Sequence, residues 1–299
     1  MLGKSKVYFT SNITPDAVIK LYEKLDIDLK GNVAAKIHSG EDGNQNYIRP
    51  DFVKPIIERL GATVVECNTA YGDAFSGVRD HTEGHLKLLE KHEWSKYFKV
   101  DIMDSEGDLK VEVKDGKQLK DNYLGKHIAN YDSMIVLSHF KGHPMGGYGG
   151  ALKQLSIGCA SSKGKALIHS AGRSDDIIKC WEAGNTQESF LESMADAAST
   201  VADMFKNNIA YINMMVNLSV DCDCVNQAED PCMKDIGICA SLDPVAIDKA
   251  CLDFVYNSND PGRDHLIERI ESRKGANILE SAKELGIGTT DYELINIDL

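Results

Sequence analysis

The feature that most constrains this chain is a regular alternation of short apolar runs with amphipathic stretches. Runs rich in β-branched and aliphatic residues occur near residue 6 (KVYF) and at 32–37 (NVAAKI), 62–67 (ATVVEC), 133–138 (SMIVLS) and 209–220 (IAYINMMVNLSV). Apolar residues recur at helical spacing over 14–25, 50–60, 80–92, 187–205, 244–256, 263–272 and 276–285. A strand–helix–strand rhythm builds a largely parallel sheet with helices on its faces, because parallel neighbours need a crossover between them. The expected fold is α/β, with largely parallel sheets and flanking helices.

Local signals agree with this reading. Thr14-Pro15 and Asp243-Pro244 each set a capping residue before a proline at the first helical position, and Gly61 and Gly286 follow helical patterns. The stretch KVEVKDGKQLKD, 110–121, alternates with period two about Asp115-Gly116, which marks a hairpin. The least patterned segment is 173–185. It is the natural boundary between two lobes around a cleft, 1–172 and 173–299, although a loop within one continuous domain, 1–299, reads the same way.

Charge narrows the partners. Lys and Arg number 33 against 46 Asp and Glu, a net −13, and no polybasic run is present, so the footprint of nucleic-acid binding is missing. No window reaches the roughly 20 apolar residues of a membrane span, and the opening MLGKSKVYFTSN has no secretory pattern. The expectation is a cytoplasmic protein without membrane contact. Eight cysteines then read as buried thiols, metal ligands or redox groups rather than a disulfide framework, and Cys222, Cys224, Cys232 and Cys239 fall within 18 residues.

Three segments carry chemistry. Ser138 to Lys153 (SHFKGHPMGGYGGALK) follows an apolar strand and passes two histidines and five glycines before a helix-like continuation. Ligands bind at strand carboxyl ends in such folds, where glycines allow close backbone approach and helix starts offer N–H groups to anions. Gly146, Gly147, Gly149, Gly150 and Lys153 are therefore candidate phosphate or cofactor contacts. Upstream, Arg49 precedes a proline-initiated helix, a good position for clamping a carboxylate or phosphate. His81 and His85 stand one helical turn apart, His85 fitting a solvated helix face. The third segment is Asp221-Cys222-Asp223-Cys224 with Cys232 beyond it. Read as extended, it points Cys222 and Cys224 to one side, and it suits a mixed Asp/Cys/His metal site, a redox-sensitive Cys-x-Cys pair or a buried turn.

Taken together, KSKVYFT, KIHSGEDGNQNYIRP, SHFKGHPMGGYGGALKQLSIGCASSKGKALIHSAG, NLSVDCDC, DIGICASLDPVAIDKACLDFVY, LIERIESRKGANILE and YELINID resemble the iron-sulfur center protein family, the domain of unknown function numbered 362. Members of that family often carry a ferredoxin-like insertion after the SAG segment. Here that position holds a single cysteine, Cys180, so the resemblance implies a ferredoxin-type redox partner but not the iron–sulfur cluster itself.

The glycine-rich segment also resembles the signature of nickel-pincer lactate racemases. In that family a first histidine serves as acid/base, a lysine tethers the pincer nucleotide and a later histidine ligates nickel. His143, Lys153 ten positions on and His169 sixteen beyond follow that order. The resemblance implies His143, His81 and Arg49 as catalytic residues and His169 as a metal ligand, with a nickel-pincer-type nucleotide or another transition metal as cofactor. Cys222, Cys224, Cys232 and Asp223 complete the expected metal donors, and the expected function is an enzyme, racemase- or oxidoreductase-like, acting on a small anionic ligand, or alternatively a non-catalytic iron–sulfur-associated redox partner or a thiolate metal-binding protein.

Overall fold

The computed structural model describes residues 4–70 and 77–298. Its elements run β1 (Ser5–Thr10), α1 (Pro15–Lys24), β2 (Val33–Lys36), α2 (Pro50–Leu60), β3 (Thr63–Glu66), α3 (Thr82–Lys91), α4 (Trp94–Tyr97), β4 (Val100–Ile102), β5 (Asp108–Glu112), β6 (Asp121–Gly125) and β7 (Ser133–His139). They continue with β8 (Lys141–His143), β9 (Gly147–Gly149), α5 (Ala151–Cys159), α6 (Ser162–His169), α7 (Gln187–Met204), β10 (Ile209–Met215), β11 (Gly237–Ser241), α8 (Pro244–Tyr256), α9 (Arg263–Ser272), α10 (Asn277–Glu284) and β12 (Tyr292–Asn296). The fold is α/β, as the alternation requires.

Eight strands form one sheet in the order β12-β1-β11-β10-β7-β2-β3-β4. Every neighbouring pair is parallel except the two made by β11, which runs against both β1 and β10. Strands from both sides of residue 172 belong to this sheet. The two central strands, β7 and β10, are buried along their whole length, so their apolar runs are continuous rather than alternating. Their side chains still divide by parity. Met134 and Val136 enter a core shared with α5, α7 and α8, whereas Ile135 and Leu137 enter a core shared with α1 and α2 on the opposite face. Among the described residues no helix is long and apolar enough to cross a membrane.

Helix starts follow the capping signals: the Thr14 side chain accepts from Ala17 N, and Asp243 accepts from Val245 N and Ala246 N. α2 stops at Gly61, whose φ of 59° is left-handed. The expected hairpin exists as β5–β6, but with Glu112 paired to Asp121 across a longer loop. The reason is tertiary. Asp196 of α7 accepts from the backbone N–H groups of Lys117, Gln118 and Leu119 and draws the loop away from a two-residue turn. The apolar pattern alone does not mark β4, β8, β9, β11, β12, α4 or α6.

The carboxyl ends of β10, β7, β2 and β3 lie side by side, and the loops that leave them meet above the sheet. Two close approaches fix this region. A Cβ on Gly142 would stand 2.3 Å from Val220 O, so only glycine lets the β8–β9 hairpin lie against the loop after β10. A Cβ on Gly150 would stand 2.4 Å from Asp248 Oδ1. Asp248, buried on α8, instead accepts from Ala151 N and Leu152 N at the start of α5 and from Asn213 Nδ2. Replacing it strands buried donors, so Asp248→Ala should destabilise the protein by about 3 kcal/mol in urea unfolding. A change below about 1 kcal/mol would contradict this anchoring role.

Candidate functional site

A cavity of about 490 Å³ opens where the four strand ends meet. β2 contributes Lys36 and, just beyond it, His38, while β3 contributes Glu66. The β7–β8 corner adds His139, Lys141 and His143. α5 and α6 supply Lys153, Lys165 and His169, the loop before α3 supplies Arg79, and the loop after β10 supplies Cys224. Met145, Ile157, Trp181 and Phe190 form an apolar wall.

Five basic side chains therefore line one cavity in a chain whose net charge is −13. Some are matched. Arg79 Nε donates to Glu41 Oε2 at 3.1 Å, Lys141 Nζ lies 2.8 Å from Asp223 Oδ2, and Lys36 Nζ lies 4.0 Å from Glu66 Oε1 while donating to Gln154 Oε1 at 3.0 Å. Among the described residues neither Lys153 nor Lys165 forms an ion pair with a carboxylate; Lys165 Nζ donates to Ala160 O. Burial pushes the Lys36 pKa down, only partly offset by Glu66. Burial also opposes the Lys141 ammonium, but Asp223 and Cys222 hold its pKa above the usual value.

The imidazoles are fixed in opposite tautomers. His169 Nδ1 lies 2.7 Å from Lys165 O, and because a carbonyl only accepts, Nδ1 carries the proton and Nε2 keeps its lone pair. Trp181 and Phe190 flank this ring at 5.0 and 5.3 Å. His143 is the reverse, since its Nδ1 accepts from Met145 N at 3.1 Å and Gly146 N at 2.8 Å, which leaves Nε2–H as its donor. His38 Nδ1 likewise accepts from Gly40 N at 3.1 Å. Burial pushes the pKa of all three rings down to about 4; Arg79 adds to this at His38, and Lys153 at His143 and His169. They are neutral at pH 7.

Both donor rings, His38 and His143, face the sulfur of Cys222, which has no exposed surface, and a His143 ring nitrogen lies within 4.8 Å of it. Lys153 Nζ lies 3.4 Å from the same sulfur, and the Cys224 sulfur lies within 4.8 Å of it. Burial alone would raise this thiol, yet Cys224, Lys153, Lys141 and His143 hold it well below the usual thiol range. The centre of the cluster is a caged cysteine sulfur whose surroundings favour its anion. The backbone here is a turn, closed by Val225 N donating to Cys222 O at 2.9 Å, which is the buried-turn reading of this segment and not the extended one. Asp223, between the two cysteines, lies against His139 Nδ1 at 2.9 Å and Lys141, which hold its carboxyl well below the usual range against the opposing effect of burial.

The remaining expected residues fall at varying distances from this centre. Gly149 and Gly150 line the cavity; Gly146 and Gly147 form the tip of the β8–β9 hairpin, Gly147 with φ 81°. Cys232 donates to Leu218 O and Arg49 stacks on Tyr47 at 3.9 Å, and neither lines the cavity. His81 is exposed, 2.6 Å from Asp80. The reading of His85 as solvated is corrected: it is fully buried, with Nε2 3.0 Å from Glu66 and Nδ1 3.2 Å from Asn68. Burying Glu66 beside Lys36 requires this partner, and His85, Lys36 and Arg79 hold Glu66 well below the usual carboxylate range despite its desolvation.

Sequence reasoning missed Lys36, His38, Glu66, Arg79 and Lys165. Two of them had a readable signal, because VAAK and TVVE each close an apolar strand with a charge.

His143, Cys222 and Cys224 are the one group among the described residues whose donor atoms, all within 4.8 Å of one another, have metal-like spacing. The His143 tautomer argues against ligation there. Metal-bound imidazoles normally donate their second nitrogen's proton to an acceptor, whereas His143 Nδ1 faces two N–H groups.

The family described as Domain of unknown function (DUF362) matches residues 33–253. No curated protein matches. Solved structures that match include the lactate racemase apoprotein from Thermoanaerobacterium thermosaccharolyticum, 13% identical over 83% of this chain and 56% of that one, with a TM-score of 0.47. Another is a protein from Thermotoga maritima, 12% identical over 90% of this chain and 58% of that one, with a TM-score of 0.44. The chain thus spans less than two thirds of either.

The neutral rings make stability depend on pH. Their pKa is about 4 folded against about 6.5 unfolded, so between these values the unfolded chain binds more protons. Their stabilising contribution is complete above pH 6.5 and is lost as pH falls toward 4. Urea midpoints should drop between pH 7 and pH 5 by the equivalent of about 5 kcal/mol, and His38→Gln should reduce the slope. A flat profile would contradict the assigned protonation states.

Proposed function

The chain belongs to the family of the domain of unknown function DUF362, and from that premise we propose that its cavity is the active site of an enzyme acting on a small carboxylate or phosphate. The observation that carries this reading is the excess of basic side chains lining the cavity. Lys153 and Lys165 face the cavity with no carboxylate partner among the described residues, and five basic groups face a space large enough for a small substrate. Burying an ammonium that has only a carbonyl partner, as Lys165 has, is costly, and an anionic ligand removes that cost.

In this reading Lys165, Lys153 and Arg79 hold the anion, and the apolar wall of Trp181 and Phe190 excludes water from its other end. His169 Nε2, the imidazole lone pair fixed by Lys165 O, takes a proton from the substrate. His143 presents N–H and so donates a hydrogen bond instead of accepting a proton. A metal-bearing cofactor of the nickel-pincer kind, which the order of His143, Lys153 and His169 suggests, would instead take the His169 Nε2 lone pair as a ligand in place of its role as base, would be held by Lys153, and would supply a hydride acceptor. The carbonyl behind His169 is the orienting partner that such a ligand needs.

The test is a panel of small 2-hydroxy acids, dicarboxylates and phosphates. A member of the panel should bind in calorimetry, more weakly as salt rises, and Lys165→Gln should weaken it about tenfold. The α-proton of a bound carboxylate should exchange in deuterated water, and His169→Asn should stop that exchange while binding persists. Affinity unchanged in Lys165→Gln, or exchange at the wild-type rate in His169→Asn, would sink the reading.

A further inference from the structure

The Cys222-Asp223-Cys224 turn is not used by the proton transfer above, yet it is the most heavily supported feature of the cavity wall. The turn closed by Val225 N on Cys222 O brings the two sulfurs within 4.8 Å of each other. Residues two apart in a turn fall within the roughly 4.4–6.8 Å Cα separation that a disulfide spans. Cys224 borders the cavity and Cys222 lies behind it, fully buried. Asp223 is turned away to His139 and Lys141, so no like charge stands against the sulfur anion. Lys153 and the N–H groups of His38 and His143 surround Cys222 and stabilise sulfur as nucleophile and as leaving group.

The remaining cysteines lack this setting. Cys67 donates to Cys159 O, Cys180 to Ile177 O and Cys232 to Leu218 O. Cys239 and Cys251 touch each other, but inside the core between β11 and α8 and away from the cavity.

We propose that Cys222 and Cys224 form a redox-active dithiol that exchanges with low-molecular-weight disulfides entering through the cavity. Cys224 passes its proton to the Cys222 thiolate and attacks one sulfur of the small disulfide RSSR. The S–S bond breaks, and the departing thiolate takes the proton back from Cys222 as RSH. Cys222 then attacks the Cys224 sulfur of the mixed disulfide, closing the Cys222–Cys224 bond and releasing the second RS⁻. Two electrons pass from the protein to RSSR, and one proton and one negative charge appear on the products as they disappear from the pair. The fixed imidazole N–H groups suit this chemistry, since they stabilise a sulfur anion without offering a lone pair to a metal.

The experiment equilibrates the intact, folded protein in glutathione redox buffers, quenches it with an alkylating acid-stable reagent and maps the thiols by peptide mass spectrometry, with circular dichroism as the folding control. The expected result is a Cys222–Cys224 disulfide that titrates reversibly with the glutathione ratio while Cys239 and Cys251 stay reduced. Cys222→Ser should trap glutathione on Cys224, and Cys224→Ser should leave Cys222 unmodified behind the cavity wall. Two results overturn the proposal: both thiols alkylated in the most oxidising buffer with the fold intact, or a divalent metal bound one to one and lost in Cys222→Ser. The wild-type measurement stands even if a variant fails to fold, and neither result bears on whether the cavity binds anions.

Discussion

Everything distinctive about this molecule follows from one constraint, the placement of four parallel strand ends side by side. A parallel strand points its carboxyl end, and the loop that leaves it, in the same direction as its neighbours. With β10, β7, β2 and β3 adjacent, the residues that close or follow those strands converge: Lys36, Glu66, His139 and, through short turns, His38, Lys141, His143, Cys222 and Cys224. The strands themselves are buried on both faces and are held rigid by two cores. Charges brought together on such a base cannot relax into solvent, so each must be compensated in place or by a ligand.

The compensation is asymmetric. Glu66 is shared by Lys36, Arg79 and His85, and Asp223 by His139 and Lys141, so each carboxylate serves several partners. The sulfur of Cys222 serves Lys153. What remains is positive, inside a protein that is acidic overall. Desolvation also keeps His38, His143 and His169 neutral, and backbone partners then decide which nitrogen of each ring carries the proton. A carbonyl behind His169 makes it an acceptor toward the cavity; amides behind His143 and His38 make them donors.

The periodic parts of the fold were legible in the sequence because they depend on local pattern. The strands at 133–138 and 62–67 and the capped helices after Thr14 and Asp243 all form where the apolar period and the caps place them. β11 escaped because GICAS is short and lacks a period, and it exists only as the antiparallel filler between β1 and β10. At the site, the glycine-rich loop, Lys153 and the Cys-x-Cys segment stood out by composition, and His169 through the resemblance. His85 and Arg79 did not, because their roles depend on Glu66 and Glu41, partners distant in the chain. Helical spacing made His85 look solvated, while the tertiary need to neutralise a buried carboxylate put it in the interior.

The central claim is that backbone partners lock the cavity imidazoles in opposite tautomers around a caged cysteine sulfur. Nitrogen-15 NMR of histidine-labelled protein at pH 7 tests it directly, since protonated and bare ring nitrogens resonate far apart. The account predicts three neutral cavity rings, His169 protonated at Nδ1 and His143 and His38 protonated at Nε2, assigned by single His→Gln variants. A His143 ring protonated at Nδ1, or a cationic His169, would contradict it.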